Sequence, residues 1–357
     1  MGAKRVVFFL QGHRVPAARA RGLPIARALV ARGVDCALRI PVPSVYGDTN
    51  LPWPFRRWRP LFRPFAAIGR LAQLRGLTRD DVVFFQRPMV EFPTAVFERI
   101  AARGRRSVFD FDDAIFLDFG GRRKLAAIVG IADQVIAGNR YLAEVAGAPQ
   151  KTTVIPTVVD TDRFRLVPTR DRRGGDVVIG WTGLAGNYPQ LLTARDAIAR
   201  TLQRTGARLL LISNAPPPRE LTSLRMEYRP WRQETEVEDL AEIDVGLMPL
   251  PDTPFTRGKC AYKLIQYMAL GRPGVASPVG ANREVVTDGV DGFLPATPAA
   301  WEETLVALIA DPDLRRRVGL AARARVEEAY SLAAVLPRYF DVFRRASGGD
   351  LPLREAA

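Results

Sequence analysis

Metal-binding and redox side chains are almost missing from this chain. Cysteine occurs only at Cys36 and Cys260, and histidine only at His13. Two cysteines far apart, each inside an apolar pattern, make no disulfide framework, and one histidine beside them makes no zinc site. Both read as core thiols of a reducing compartment, and no metal site is expected. No run approaches eighteen apolar residues, so no transmembrane helix is expected either. The opening MGAKRVVFFLQGHR holds an apolar piece, Val6–Leu10, that is too short for the h-region of a secretory signal and suits a buried first strand. A cytoplasmic protein is the expectation. The G-x-G-x-x-G fingerprint is also missing, because Gly12 stands alone after that first apolar run. No dinucleotide cofactor is expected.

Acid is scarce in one region above all. None occurs between Asp48 and Asp80, where seven arginines do. Within Pro52–Arg79, Trp53, Phe55, Trp58, Phe62 and Phe65 are interleaved with those arginines. Aromatic side chains plus arginine without acid suit an anionic membrane surface, which would make the protein peripheral on the inner membrane face. A packed loop with solvated arginines is the equal alternative. The net charge of +14 is carried by one half: residues 1–160 hold 25 Lys+Arg against 13 Asp+Glu, a net of +12. A basic half calls for an acidic partner. Nucleic acid is not expected, since no recognition motif accompanies the charge.

The chain of 357 residues, 47% hydrophobic and 25% charged, suits two globular domains. Lys4–Leu10, Val34–Ile40, Asp81–Gln86, Ser107–Phe111, Gln134–Ala137 and Thr152–Ile155 read as strands, with helices such as Leu23–Arg32 and Val90–Arg103 between them. After Pro156 the same alternation resumes, with strands at Val177–Trp181, Arg208–Ile212, Met226–Tyr228, Val245–Met248 and Gly274–Ala276. Helices are expected over Pro189–Thr205, Gly258–Leu270 and Pro312–Ala329, among others. Apolar strands separated by helices predict parallel sheets covered on both faces. The expected architecture is α/β: two Rossmann-like, doubly wound domains, 1–160 and 161–331, facing across a cleft. A last helix, 332–346, is expected to cross back to the first.

Phe255–Ser277, FTRGKCAYKLIQYMALGRPGVAS, stands out in the second half. On a helical wheel Cys260, Ala261, Leu264, Ile265 and Met268 share one side, while Lys259, Lys263 and Gln266 share the other. A helix start preceded by glycine and backed by two lysines can hold phosphate through its free N–H groups, its dipole and full positive charges. On pattern alone, a surface helix with solvated lysines is equally consistent. Gly180-Trp181-Thr182-Gly183 ends the first strand of the second half, and glycine there lets a ligand approach backbone. Gly280-Ala281-Asn282-Arg283-Glu284 supplies another small-residue helix start. In the first half, His13, Arg19 and Arg21 follow the first strand; Arg19 and Arg21 could hold an anionic acceptor, and a flexible solvated loop is equally consistent. Asp110, Asp112 and Asp113 cluster at a strand end, which is costly unless they bind a polar substrate, cap a helix or are neutralised.

Together these pieces resemble the retaining family 4 glycosyltransferases of the GT-B fold. The resemblance rests on Ile155–Asp160 with Phe164, Gly180–Gly183, Gln266–Ala269, Gly271-Arg272-Pro273 and Glu284–Leu294. In the first half it rests on the Arg19, Arg21 pair, Asp110–Phe116 and Ala137-Gly138-Asn139. It implies a nucleotide-diphosphate sugar as donor, with no bound metal. Lys263 and Arg257 would take the leaving diphosphate, and Asp112 stands where the family often has a histidine after the fourth strand. Gly183, Gly258, Lys259, Gln266 and Glu284 would line the donor. His13, Arg19, Arg21 and Asp113 would face a glycan or lipid-linked acceptor. The family usually carries two glutamates eight positions apart at this helix; here those positions are Gly258 and Gln266. A nucleotide-sugar epimerase or hydrolase, or a non-catalytic protein of the same fold, are the alternatives.

Overall fold

The computed structural model describes residues 5–13, 15–41, 67–118, 120–168, 170–349 and 351. The chain divides into two compact units: Met1–Thr157 with Val335–Ala357, and Val158–Ala334.

The first unit is built on a six-stranded sheet in the order β2-β1-β3-β4-β5-β6. Its strands are β1 (Arg5–Phe9), β2 (Asp35–Arg39), β3 (Asp81–Gln86), β4 (Arg106–Phe111), β5 (Gln134–Ala137) and β6 (Thr152–Val154), all paired in parallel. The apolar runs VVFF and VVFFQ have no polar alternation because both faces of these strands are buried. Their register sets Phe8 beside Phe84 and Phe9 beside Phe85, with ring centroids 4.8 Å and 6.1 Å apart. Such pairs add about 0.5–1.5 kcal/mol each beyond their buried area. The helices between strands are α1 (Leu23–Ala31), α2 (67–73), α3 (Val96–Ala102), α4 (Gly121–Ile131) and α5 (Arg140–Ala146). Helix α3 starts six residues later than the expected Val90, because Pro93 disfavours helical backbone before it. The last helix, Leu332–Ser347, brings Phe343 to 6.1 Å from Phe8 and 5.8 Å from Phe84, against the sheet of this unit.

The second unit has a five-stranded parallel sheet in the order β11-β10-β7-β8-β9. Its strands are β7 (Val178–Gly183), β8 (Arg208–Ser213), β9 (Met226–Pro230), β10 (Val245–Met248) and β11 (Gly274–Ala276). The chain runs outward from β7 through β8 to β9, then returns to the other side of β7 for β10 and β11. That reversal opens a crevice at the carboxyl ends of β7 and β10, where ligands bind in open α/β sheets. The helices that follow β8, β9 and β10 are α8 (Arg219–Thr222), α9 (Glu236–Ala241), and α10 (Pro254–Arg257) with α11 (Tyr262–Ala269). The helix expected over Pro189–Thr205 is two, α6 (Tyr188–Leu192) and α7 (Arg195–Thr205).

The helix expected over Gly258–Leu270 is also two. A reciprocal Thr253–Thr256 capping box starts the single turn α10, which Gly258 ends. Ala261 then takes a left-handed φ of 54°, and α11 begins only at Tyr262. Gly258 is therefore a buried turn residue and not the start of the lysine-bearing helix. Among the described residues no helix is long and apolar enough to cross a membrane. No group of three His, Cys, Asp or Glu among them is placed to hold a metal ion.

Candidate functional site

In the second unit the crevice is built by the end of β7 and the start of α11. The Tyr267 hydroxyl accepts a hydrogen bond from the Thr182 N–H at 2.9 Å, which ties the helix to the strand end. One turn earlier, the Lys263 ammonium lies over the Trp181 ring, 4.2 Å from its centroid. Gly183 is what leaves room: a Cβ there would stand 2.8 Å from the Trp181 ring and 2.9 Å from Lys263 Nζ. The lysine as a whole is half-buried. Burial, helped by the like charge of Lys259, pulls its pKa down to about 7. Among the described residues no carboxylate offsets it. A desolvated cation held by an aromatic face and a glycine is costly until an anion arrives.

The other expected donor residues fall around this point with different loads. Lys259 is half-buried, 4.2 Å over the Phe255 ring. Arg257 is exposed and spends its guanidinium on Asp252, at 2.6 and 2.9 Å, so it is not held ready for a diphosphate. That pair keeps the Asp252 carboxyl below its usual range. Gly280 comes so close that a Cβ on it would lie 2.7 Å from the Arg257 carbonyl oxygen, which sets the Gly280–Glu284 turn beside α10. Glu284, in α12 (Asn282–Val285), is half-buried, and its backbone carbonyl accepts from the Tyr330 hydroxyl at 2.9 Å.

Gln266 is buried, and its amide donates to Glu236 Oε1 at 3.3 Å. The same carboxylate accepts from Trp231 Nε1 at 3.3 Å and from Arg163 at 2.9 Å. Gln266 is thus one arm of a buried network rather than an open side chain awaiting a ribose. Glu236 lies thirty residues before Gln266 on another helix, and no spacing in the sequence joins them.

In the first unit, the carboxylate cluster at the end of β4 is neutralised by arginine. Arg21 is fully buried and grips Asp110 through two bonds, at 2.5 and 3.0 Å, while donating to the Ile155 carbonyl at 2.9 Å. Arg21 was expected to meet an acceptor; it is structural, because its fully buried guanidinium is taken up by Asp110 and the Ile155 carbonyl. Arg19 is half-buried and His13 is exposed. Arg87, at the end of β3, donates to Asp112 at 2.7 Å and reaches Asp113 at 3.5 Å. Burial alone would raise the Asp112 carboxyl, but Arg87 and then Arg21 outweigh it and hold it below its usual range. Asp113 also accepts from the Ala114 N–H at 3.0 Å.

Arg87 was missed in the sequence, where it is one arginine among many. It has a φ of 59°, and together with Ala261 it is the only non-glycine residue with positive φ among those described. Both sit at strand-end crevices, one beside Asp112 and one before the Lys263 helix. Backbone in that region is strained by roughly 1–2 kcal/mol and tends to mark functional positions.

Comparison with known proteins bears on the fold. Residues 176–311 match the family model described as Glycosyl transferases group 1. A D-inositol 3-phosphate glycosyltransferase of Xylanimonas cellulosilytica is 29% identical over 227 residues, 55% of this chain and 53% of the relative. An alpha-maltose-1-phosphate synthase of Mycolicibacterium smegmatis is 35% identical over 91 residues, 23% of this chain and 24% of the relative. The chain thus spans about half or less of the curated relatives it matches. Among solved structures, Anabaena Alr3699/HepE in complex with UDP-glucose covers 95% of this chain and 99% of its own, at 16% identity and a TM-score of 0.67. The catalytic domain of Arabidopsis thaliana Starch Synthase IV bound to ADP and acarbose covers 98% and 100%, at 12% identity and a TM-score of 0.69. The chain has the GT-B fold, and the stretch that matches the glycosyl transferases group 1 model, 176–311, lies in its second unit.

Proposed function

We propose that this protein is a glycosyltransferase that moves a sugar from a nucleotide-diphosphate sugar to a glycan or lipid-linked acceptor, with retention and without a metal ion. The observation that carries the reading is Lys263, an ammonium desolvated at the carboxyl end of β7 with no carboxylate among the described residues to offset it. A departing diphosphate is the anion that position suits. In the transfer, the bond from the anomeric carbon to the β-phosphate oxygen breaks and a bond to the acceptor hydroxyl forms on the same face. The hydroxyl proton goes to the departing phosphate oxygen, so no separate base is required. Positive charge and the α11 N-terminus stabilise the leaving group where a metal ion would otherwise do so.

The first unit is assigned the acceptor, with Asp112 and Asp113 at its strand ends as hydrogen-bond acceptors for hydroxyls. Two free thiols and a nucleotide-sugar substrate fit a cytoplasmic location. UDP- and ADP-sugars are the first donors to test, because the Anabaena and Arabidopsis neighbours were solved with UDP-glucose and ADP.

The test is a thermal-shift screen against UDP-, GDP- and ADP-sugars, followed by product analysis with and without a chelator. One donor class should stabilise the protein by about 2.7 kcal/mol at a hundredfold excess over Kd. Turnover should give a glycoside of unchanged anomeric configuration, unaffected by the chelator. Release of free sugar alone would favour a hydrolase. Absence of both stabilisation and turnover would favour a non-catalytic protein of this fold.

A further inference from the structure

The connections β2→β3 and β3→β4 run the same way across the first sheet, so right-handed crossovers put α2 and α3 on one face. The chain just after α2 and the end of α3 border a groove of about 590 Å³, with Leu74, Leu77, Arg79, Ile100, Arg103 and Arg105 in its wall. Arg105 locks this junction, donating to the Thr78 carbonyl at 2.7 Å and the Leu77 carbonyl at 3.1 Å. Four large apolar side chains point outward along the same helices. Ile68 is 62% exposed, Leu71 49%, Val96 44% and Ile100 45%. Their spacings, three residues on α2 and four on α3, put each pair on one stripe.

Arginine surrounds the stripes. Arg75, Arg79, Arg99 and Arg103 are exposed, and none is in an ion pair with a described residue. No acid lies anywhere in residues 67–79, and the one acid inside α3, Glu98, is buried beneath it and accepts from the Met89 N–H. Arg70, part of the expected basic surface, is the exception: it is buried and donates to the Leu10, Arg39 and Met89 carbonyls. The remainder of that expected surface, 52–66, lies outside the described residues.

We propose that this α2–α3 face docks on an anionic bilayer, with Ile68, Leu71, Val96 and Ile100 entering the interface and Arg79 and Arg103 seating a lipid phosphate in the groove. Exposed aliphatic side chains gain from an apolar phase, and exposed arginines with no ion-pair partner among the described residues are attracted to a surface of opposite charge. The apolar members are aliphatic, so they offer no stacking platform for bases, which sets nucleic acid aside. Docking concerns the first unit alone and holds whether or not the donor reading does.

The experiment is flotation of the full chain with phosphatidylcholine vesicles, with and without phosphatidylglycerol. Binding should need the anionic lipid and weaken with salt. R79A/R99A/R103A should lower the partition coefficient by roughly a hundredfold. I68S/L71S/I100S should lower it at unchanged charge. All six side chains are exposed, and a shared urea midpoint would show that the fold is kept. Equal binding to neutral vesicles, or an unchanged partition in either triple variant, would overturn the proposal. So would loss of oligonucleotide binding, and not vesicle binding, in the arginine variant. Nucleotide-sugar stabilisation measured on the same variants reports on the donor site separately.

Discussion

Lys263 Nζ stands 4.2 Å from the centroid of the Trp181 ring, on the side that Gly183 leaves open. A helix that begins at Tyr262 and a strand that ends at Gly183 meet there, and the Tyr267–Thr182 hydrogen bond holds them in place. The cation faces a ring, and no acid among the described residues pairs with it. Its neighbourhood favours loss of a proton until an anion binds.

Lys263→Ala should lower kcat by about 10²–10³, the loss typical of one donor that stabilises developing charge. The measurement is steady-state turnover of the donor found in the screen. A value within threefold of the parent would remove Lys263 from the leaving-group site.

The Lys263 pKa of about 7 gives a pH signature. An unfolded lysine titrates near 10.4, so between about 7 and 10 the unfolded chain binds more protons than the folded one. Without ligand, this residue therefore makes stability rise with pH across that window, and its cost is full below 7. Lys263→Met should abolish that contribution and be more stable than the parent below pH 7. Diphosphate binding at pH 8 should take up a proton in the parent and none in Lys263→Met, which calorimetry in buffers of different ionisation enthalpy can read.

Gly183→Ala should impair the donor site before it impairs the fold. Its Cβ would press on the buried Trp181 ring at 2.8 Å, a contact that must shift, while the lysine end can swing aside. A stability loss of about 1–3 kcal/mol is expected from overpacking, with a larger loss in nucleotide affinity. Thermal denaturation and nucleotide titration on one sample separate the two.

Gln266→Glu restores the glutamate common at this position in the resembling family, and it should destabilise this protein. The new carboxylate would meet Glu236, which now accepts from the Gln266 amide at 3.3 Å. Repulsion and burial raise the new group's folded pKa, so its cost grows as pH rises above the unfolded value near 4.3. Urea midpoints should diverge from the parent's between pH 5 and pH 7. Superimposable curves would mean that the Glu236 network can open.

Arg21→Met should cost about 3–5 kcal/mol, because Asp110 is left charged and buried. The double variant with Asp110→Leu should recover much of that loss. Per folded molecule, activity should be near the parent's, since the guanidinium reaches no surface. A large fall in acceptor affinity in a stably folded double variant would restore a binding role.

Much of the fold was legible because its signals are local. The runs VVFF, DVVFFQ and SVFDF are short, rich in β-branched and aromatic residues and suit doubly covered strands, and they fell within a residue or two of β1, β3 and β4. Lys263 and Gly183 were legible as a helix-borne cation and a strand-end glycine. That they touch was not, because 80 residues separate them.

Residue type and spacing by themselves determined the two-sheet architecture, the strand ends and the supply of basic side chains near them. Tertiary structure alone decided how each charge is spent. Arg21 and Arg87 went to carboxylates, Arg257 to Asp252, and Gln266 to Glu236, while Lys263 was left over an aromatic ring. The physical reason is that periodicity is a property of neighbours along the chain, whereas the value of a charge depends on burial and on partners brought in from elsewhere.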